Sequence, residues 1–158
     1  MGNTSGSVEK QYGALLAPYL ADPTSLFIVS SDFAHWGSRF RYTYYQSDDG
    51  EAVDLKQNVR PPTAPPIHES IKKVDMMCVE AIEEGEHDEF LDVLKETGNT
   101  VCGRHPIGIV MAAIEELKRK GEIGQEKGRF KFVKYDRSSE VVSVRDSSVS
   151  YCSGFAVM

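Results

Sequence analysis

The chain has 158 residues, of which 41% are hydrophobic and 27% are charged. That composition is typical of a folded globular domain and argues against a disordered chain. The formal net charge is -6, which excludes the basic surface used to bind nucleic acid or an anionic membrane. No apolar run approaches the roughly 20 residues of a membrane-spanning helix, and the N-terminus lacks the pattern of a secretory leader. We therefore expect a single domain over residues 1–158, with no membrane span and no nucleic-acid partner.

Hydrophobic spacing predicts the helices, and short β-branched or aromatic runs predict the strands. Ser7 is the predicted N-cap of the first helix, whose apolar face holds Val8, Tyr12, Leu15, Leu16 and Tyr19. Gly98 and Gly121 are predicted C-terminal caps of later helices. In chain order the predicted elements are a helix over 7–20, a strand over 26–29, helices over 67–84, 87–97 and 106–120, and strands over 129–135 and 149–157.

This order of elements predicts an α/β fold, with helices layered around a mostly parallel or mixed sheet. The predicted sheet is thin, since sheets commonly have about four to six strands. Either residues 40–45 also pair into the sheet, or part of the sheet is missing from this chain. Residues 46–66 carry acidic residues and a proline-rich end, and they are predicted to form a long surface loop.

The three cysteines, Cys78, Cys102 and Cys152, show no paired spacing. An odd number of unpaired cysteines is typical of a reducing compartment, so we expect a cytoplasmic protein. Cys78 and Cys152 are expected to be inert small hydrophobes. His68 and His87 lie on predicted helices among acidic neighbours, and we expect both to be exposed and assign them no role.

Two short motifs carry the chemistry. Asp32 and His35 form a D-x-x-H pattern just past the predicted strand 26–29, and ligands of open α/β sheets bind beyond strand ends. Cys102 and His105 form a C-x-x-H pattern before a predicted helix. If the two motifs meet, a carboxylate, an imidazole and a thiolate are available for metal binding or for acid–base and nucleophilic chemistry.

Each of these residues also has a structural interpretation. Asp32 could cap a turn, and His35 could be a partly buried ring with satisfied nitrogens. Trp36 belongs either to the core or to a stacking platform for a ligand. Cys102 could be a small hydrophobe, but its position before a helix N-terminus and beside Arg104 favours a thiolate.

Arginines near both motifs suggest a locally basic pocket. Arg39 and Arg41 follow the D-x-x-H motif, and Arg104 lies at the predicted helix start. Guanidinium groups and a helix N-terminus both attract phosphate or carboxylate. The alternative is ordinary ion pairing with the acidic residues of the loop, Asp48, Asp49 and Glu51. A Ser–His–Asp hydrolase is disfavoured, because no G-x-S-x-G elbow is present.

Five longer motifs stand in order along the chain: Y-L-A-D-P at 19–23, V-S-S-D-F-A-H-W-G at 29–37, R-F-R-Y at 39–42, N-T-V-C-G-R-H-P-I-G at 99–108 and D-S-S-V-S-Y at 146–151. Together they resemble the motifs of the Memo family. The resemblance covers nearly the whole chain and corresponds to the C-terminal half of a family member.

The resemblance implies an α/β fold similar to class III extradiol dioxygenases, which are non-haem iron enzymes. It also implies roles in receptor-tyrosine-kinase signalling, cell motility and cytoskeletal control, with phosphotyrosine-peptide binding and copper or iron binding. The family's site aspartate and histidine fall on Asp32 and His35, and its site cysteine falls on Cys102. Ala34 stands where family members carry a cysteine that is not a ligand. The remaining histidines of the family's metal site belong to the N-terminal half.

Three hypotheses follow. The favoured one is a Memo-like, non-enzymatic signalling or scaffold protein with copper or iron at His35 and Cys102. Its pocket would bind an anionic, phosphotyrosine-type peptide through Trp36, Arg39, Arg41, Arg104 and His105. The second is a metal-dependent oxidoreductase, related to the extradiol dioxygenases, in which Asp32 and His35 are catalytic. The third is a truncated chain without activity, whose missing half could be supplied by a partner.

Overall fold

The structure is a computed structural model that describes residues 3–58, 60, 62 and 64–158. Part of the predicted proline-rich end of the loop, at positions 61 and 63, lies outside the described residues. No described helix is both long enough and apolar enough to cross a membrane. In chain order the elements are α1 Gly6–Leu20, β1 His35–Trp36, a 3-10 helix Ser38–Phe40, β2 Tyr44–Gln46, β3 Ala52–Asp54, α2 Ile67–Glu84, α3 His87–Thr97, α4 Arg104–Lys120, β4 Phe130–Arg137 and β5 Ser148–Ala156.

The predicted helices are confirmed, with small changes at their ends. The side chain of Ser5, rather than that of Ser7, caps α1 by accepting a hydrogen bond from the Val8 N–H. The predicted caps Gly98 and Gly121 end α3 and α4 with left-handed φ angles of 63° and 70°. These ends are set by local chemistry, because glycine adopts that conformation without steric cost.

The buried face of α1 differs from the predicted one. Glu9, Gly13 and Ala17 are buried, whereas Tyr12 and most of the predicted apolar face are exposed. Gly13 explains this choice, since a Cβ there would lie 2.8 Å from the backbone of α4. A small residue at this point lets the two helix backbones approach closely, which a larger apolar face would prevent.

The predicted strand over 26–29 is wrong. These residues are not in a strand, and Leu26 and Ile28 are 84% and 85% exposed. The chain first pairs as a strand at β1, which begins only at His35. A strand needs a neighbour that satisfies its backbone N–H and C=O groups, and no described strand lies alongside residues 26–29.

The predicted α/β class is confirmed, but the described strand pairs are antiparallel. One sheet has the order β1-β5-β4, and β2 and β3 form a separate two-stranded sheet. Residues 40–45 therefore do not join the main sheet, and β3 lies within the predicted loop 46–66. The short connection over 138–147 allows β4 and β5 only an antiparallel arrangement, since parallel neighbours need a crossover of about a dozen residues or more.

The largest core cluster lies between α2, α3 and α4 and the inner face of the sheet. Phe33 reaches this cluster from the segment before β1, and its ring meets the Phe132 ring of β4 edge-on at 6.0 Å. A second cluster surrounds Trp36 and Tyr45. Together these contacts hold the segment over 33–36 between the helices and β5, which determines where the side chains of the first motif lie.

Candidate functional site

The two sequence motifs meet in the structure. Asp32, His35 and Cys102 each offer one ligand atom, and these atoms all lie within 4.8 Å of one another. The Nε2 atom of His35 is 3.4 Å from the Oδ2 atom of Asp32 and 3.8 Å from the Sγ atom of Cys102. The cluster is half-buried, with Cys102 exposed.

The orientation of the His35 ring follows from its neighbours. Its Nδ1 atom lies 3.1 Å from the carbonyl oxygen of Phe33, which can only accept a hydrogen bond. A ring protonated at Nδ1 donates to this carbonyl, and its Nε2 atom then keeps a lone pair beside Asp32 and Cys102. The His35 backbone N–H also donates to the Thr100 hydroxyl at 2.7 Å, which ties the residue to the second motif.

Backbone contacts join the two site segments directly. The Cys102 N–H donates to the Asp32 carbonyl at 3.2 Å, and the Gly103 N–H donates to the Ser31 hydroxyl at 2.9 Å. Gly103 permits this approach, because a Cβ there would lie 2.6 Å from the carbonyl oxygen of Ser30. The glycine of the second motif is therefore required by the packing of one segment against the other.

A buried carboxylate lies behind both segments. Asp75 of α2 accepts hydrogen bonds from the Ala34 N–H at 3.1 Å, the Asn99 side-chain amide at 2.9 Å and the Tyr135 hydroxyl at 3.0 Å. Its burial raises the pKa of its carboxyl group, partly offset by these hydrogen bonds. Sequence analysis missed Asp75, although an aspartate between Val74 and Cys78 on the apolar face of a helix is a signal that could have found it.

His87 and His105 belong to a second buried cluster, centred on Glu9 of α1. The Glu9 carboxylate lies 2.8 Å from the Nε2 atom of His87 and 2.6 Å from the Nδ1 atom of His105. The expectation that His87 is exposed was wrong, because α1 covers it completely. His105 contacts Glu9 and Asn3, so its ring is engaged away from the thiol of Cys102. The signal that could have found this cluster is the spacing of Glu9 with the small residues Gly13 and Ala17, which places all three on one face of α1.

The predicted arginines have no ion pairs with the acidic loop among the described residues, so the alternative of ordinary pairing is not observed there. Arg39 and Arg41 are exposed. The Arg39 guanidinium lies 4.6 Å from the centre of the Phe40 ring, which in turn meets the His35 ring at 5.3 Å. The Nε atom of Arg104 is buried without a hydrogen-bond partner in the described part of the chain.

Trp36 lies in the core, in agreement with the structural interpretation of that residue. Its ring is fully buried, and the indole N–H donates to the Tyr44 carbonyl at 2.8 Å. A buried ring with a satisfied N–H offers no face to a ligand.

The fold is that of an α/β protein, and its candidate site brings together the carboxylate of Asp32, the imidazole of His35 and the thiol of Cys102. Comparison with known proteins supplies the family. The family described as Memo-like protein matches residues 1–155. The chain is 44% identical over 158 residues to Protein MEMO1 of Danio rerio and 42% identical over 154 residues to Protein MEMO1 of Homo sapiens. A MEMO1 family protein of Schizosaccharomyces pombe is 42% identical over 144 residues. The chain belongs to the Memo family, as the sequence motifs predicted.

The chain spans about half the length of these relatives. The match covers 100% of this chain and 47% of the Danio rerio protein, and 98% of this chain and 46% of the Homo sapiens protein. The Schizosaccharomyces pombe match covers 89% of this chain and 44% of that protein. What the relatives do as whole proteins is therefore a separate question from what these residues do.

Proposed function

We propose that this Memo-family chain binds a transition-metal ion of the copper or iron class through Asp32, His35 and Cys102. The observation that carries the proposal is the convergence of three different ligand atoms within 4.8 Å of one another. A thiolate favours copper, and an imidazole suits both copper and iron. The metal would be held in a protein whose role is binding and signalling rather than catalysis.

The distances in the cluster support this assignment. Metal–nitrogen and metal–sulfur bonds of about 2.0 and 2.3 Å place tetrahedral ligands roughly 3.3–3.8 Å apart. The observed Nε2–Oδ2 and Nε2–Sγ distances are 3.4 and 3.8 Å, and all three ligand atoms lie within 4.8 Å of one another. The carbonyl of Phe33 can accept from Nδ1 and so leave Nε2 for a metal, which is the usual outer contact of a metal-binding histidine. Three ligands leave at least one coordination position for a further group.

Metal analysis of the purified chain tests the proposal. We expect copper or iron to bind under reducing conditions, and Cys102→Ser and His35→Ala to weaken binding by at least about tenfold. Cys152→Ser and His68→Ala are matched controls, because they change the same residue types outside the cluster. Equal metal contents in the cluster variants and in the controls would contradict the proposal. A reducing, cytoplasmic setting is part of it, since Cys102 must remain a free thiol.

A second candidate function is the binding of an anionic, phosphotyrosine-type peptide beside the metal. Its support is the exposure of Arg39 and Arg41, which form no ion pair with a described acidic residue, and the buried Nε atom of Arg104, which has no hydrogen-bond partner among the described residues. A phosphotyrosine peptide should bind more tightly than its unphosphorylated form, and Arg39→Gln should remove the difference. The control is Arg119→Gln, which changes an exposed arginine already paired with Glu116.

A metal-dependent oxidoreductase is the third candidate. The observation that favours it is the close pair of Asp32 and His35, since a carboxylate beside an imidazole is suited to acid–base chemistry. In such an enzyme the metal would supply the redox chemistry, and His35 with Asp32 would hold or move a proton at Nε2. Metal-dependent oxygen consumption that is lost in Asp32→Asn, with metal content retained, would support this function over simple binding.

A further inference from the structure

A buried carboxyl group without a cationic partner among the described residues lies behind the two site segments. Asp75 of α2 is fully buried, and none of the ion pairs of the described residues involves it. A buried carboxylate needs a cation or gives up its charge by binding a proton, because water no longer stabilises the charge. Glu9, which is also buried, has two imidazoles against it, whereas the hydrogen bonds of Asp75 come from neutral donors.

The titratable groups that surround Asp75 are weak acids. Four side chains lie close enough to interact with its charge, namely Tyr42, Cys78, Tyr135 and Cys152. Burial first, and the charge of Asp75 second, raises the pKa of each of these four groups. Burial also raises the pKa of Asp75, and the hydrogen bonds that it accepts offset this only in part. The elements packed against Asp75 therefore present neutral acids and hydrogen-bond donors to it, which favours a protonated carboxyl group.

The two oxygen atoms of Asp75 face different neighbours. Oδ1 accepts from the two site segments, through the Ala34 N–H at 3.1 Å and the Asn99 side-chain amide at 2.9 Å. Oδ2 lies 3.0 Å from the Tyr135 hydroxyl, which also lies 3.1 Å from the Ser150 hydroxyl. The Tyr135 hydroxyl can donate to an ionised Asp75, or it can accept a proton from Oδ2 while it donates to Ser150. A proton at Oδ2 is therefore accommodated without breaking either contact to the site segments.

We propose that Asp75 regulates the metal site by holding a proton in the metal-free protein, and that this proton and the metal ion weaken each other's binding. The inference rests on the proposed function, because the metal is the one held by Asp32, His35 and Cys102. An ionised Asp75 places a negative charge behind the site and accepts stronger, charge-assisted hydrogen bonds from both segments. A protonated Asp75 provides neither, and linkage makes the effect reciprocal. None of its hydrogen bonds reaches a member of the cluster, so Asp75 is a positioning residue and not a ligand.

The pH dependence of ferrous-iron affinity tests the proposal. Affinities are measured without oxygen, from about pH 5 to about pH 8, for the full chain and for Asp75→Asn, which keeps the shape of the side chain and cannot ionise. A unit charge roughly 10 Å from another, at an effective dielectric constant of about 20, changes an equilibrium constant by about tenfold. We therefore expect the affinity of wild type relative to Asp75→Asn to rise by about tenfold as Asp75 ionises. The rise that comes from deprotonation of the ligands is common to both proteins and cancels in this ratio.

Two further variants and one metal-free measurement sharpen the test. Asp92→Asn, which changes an exposed aspartate of α3, should follow wild type. Tyr135→Phe should move the rise to higher pH, because the ionised form of Asp75 then loses a hydrogen bond. In the metal-free protein, NMR of the Asp75 carboxyl carbon should show a pKa above the ordinary value of 3.8.

The outcomes distinguish the linkage from the metal site itself. A rise in relative affinity that Asp92→Asn shares and Tyr135→Phe shifts to higher pH supports the proposal. Iron binding with the same pH dependence in wild type and Asp75→Asn overturns the linkage and leaves the proposed metal site standing. A carboxyl group that ionises at or below its ordinary value in the metal-free protein also overturns the linkage. Absence of iron binding in every protein overturns the proposed function and the linkage together.

Discussion

Replacing Asp75 tests whether a single buried carboxylate holds the two site segments together. Asp75 is fully buried, and it accepts hydrogen bonds from the segment that carries Asp32 and His35 and from the segment that leads to Cys102. Asp75→Ala removes the acceptor and leaves these donors inside the protein. We expect lower stability together with weaker binding of metal at the cluster.

The magnitude follows from the donors that lose their partner. The Ala34 N–H and the Asn99 side-chain amide each lose their carboxylate acceptor, whereas the Tyr135 hydroxyl can still bond Ser150 at 3.1 Å. A buried donor left unpaired costs about 1–3 kcal/mol, so two of them cost about 2–6 kcal/mol. That is a large share of the roughly 5–15 kcal/mol that stabilises a domain.

Asp75→Asn is the matched variant. Its Oδ1 atom can accept the same two hydrogen bonds, and its amide can donate to the Tyr135 oxygen, so we expect a change within about 1 kcal/mol at low pH. Burial raises the pKa of Asp75 above its ordinary value of 3.8. The wild type therefore binds a proton at Asp75 more tightly when it is folded. It loses stability as the pH rises from the pKa of Asp75 in the unfolded chain through the higher pKa of Asp75 in the folded protein. Asp75→Asn lacks this loss, so its stability relative to wild type should increase over that interval.

Urea unfolding of wild type and both variants, from about pH 4 to about pH 8, measures these differences. Metal affinity is measured on the same samples, under conditions in which each variant is folded. The reasoning fails if Asp75→Ala costs less than about 1 kcal/mol, since at least one of the donors would then have another partner. It also fails if the stability of Asp75→Asn relative to wild type falls with rising pH.

Three further predictions concern other parts of the structure. In the native protein an alkylating reagent should label exposed Cys102 first. Burial raises the pKa of the Cys78 thiol and of the Cys152 thiol to about 12. At about pH 8 only about one in 10,000 of the Cys78 and Cys152 thiols is therefore ionised and able to react. Peptide mass spectrometry after brief labelling checks this, and equal labelling of Cys78 would contradict it. Gly103→Ala should destabilise the protein by about 1–3 kcal/mol, because the new Cβ meets the other site segment, and should lower metal affinity; unchanged urea unfolding would disprove the close contact. Glu9→Ala should cost about 3–5 kcal/mol in urea unfolding, because it leaves a cavity and removes the carboxylate that both buried imidazoles contact. Glu9→Gln keeps the volume of the side chain and one acceptor oxygen, so it should cost less. Equal losses would contradict this expectation, because they would show that the cavity makes no contribution.

The failure of the strand prediction over 26–29 shows where sequence reasoning stops. The local sequence has the composition of a buried strand, but pairing needs a neighbour that only tertiary structure can supply. The burial of Asp75 and Glu9 was not predicted for the same reason, since it depends on residues that are distant in the chain. Each lies on a helix that was predicted, but its burial depends on segments more than 20 residues away in the chain.

The sequence by itself determined the four predicted helices and the glycine ends of α3 and α4, because helix spacing and capping depend on residues a few positions apart. It also determined the two motifs that carry Asp32, His35 and Cys102, and the family to which the chain belongs. Only the tertiary structure decided that these side chains meet, that His105 pairs with Glu9, and that residues 26–31 remain unpaired. Each of these contacts forms because residues distant in the chain pack together and exclude water from a polar group. The free-energy cost of removing that water depends on the neighbours of the group in space and not on its neighbours in the sequence.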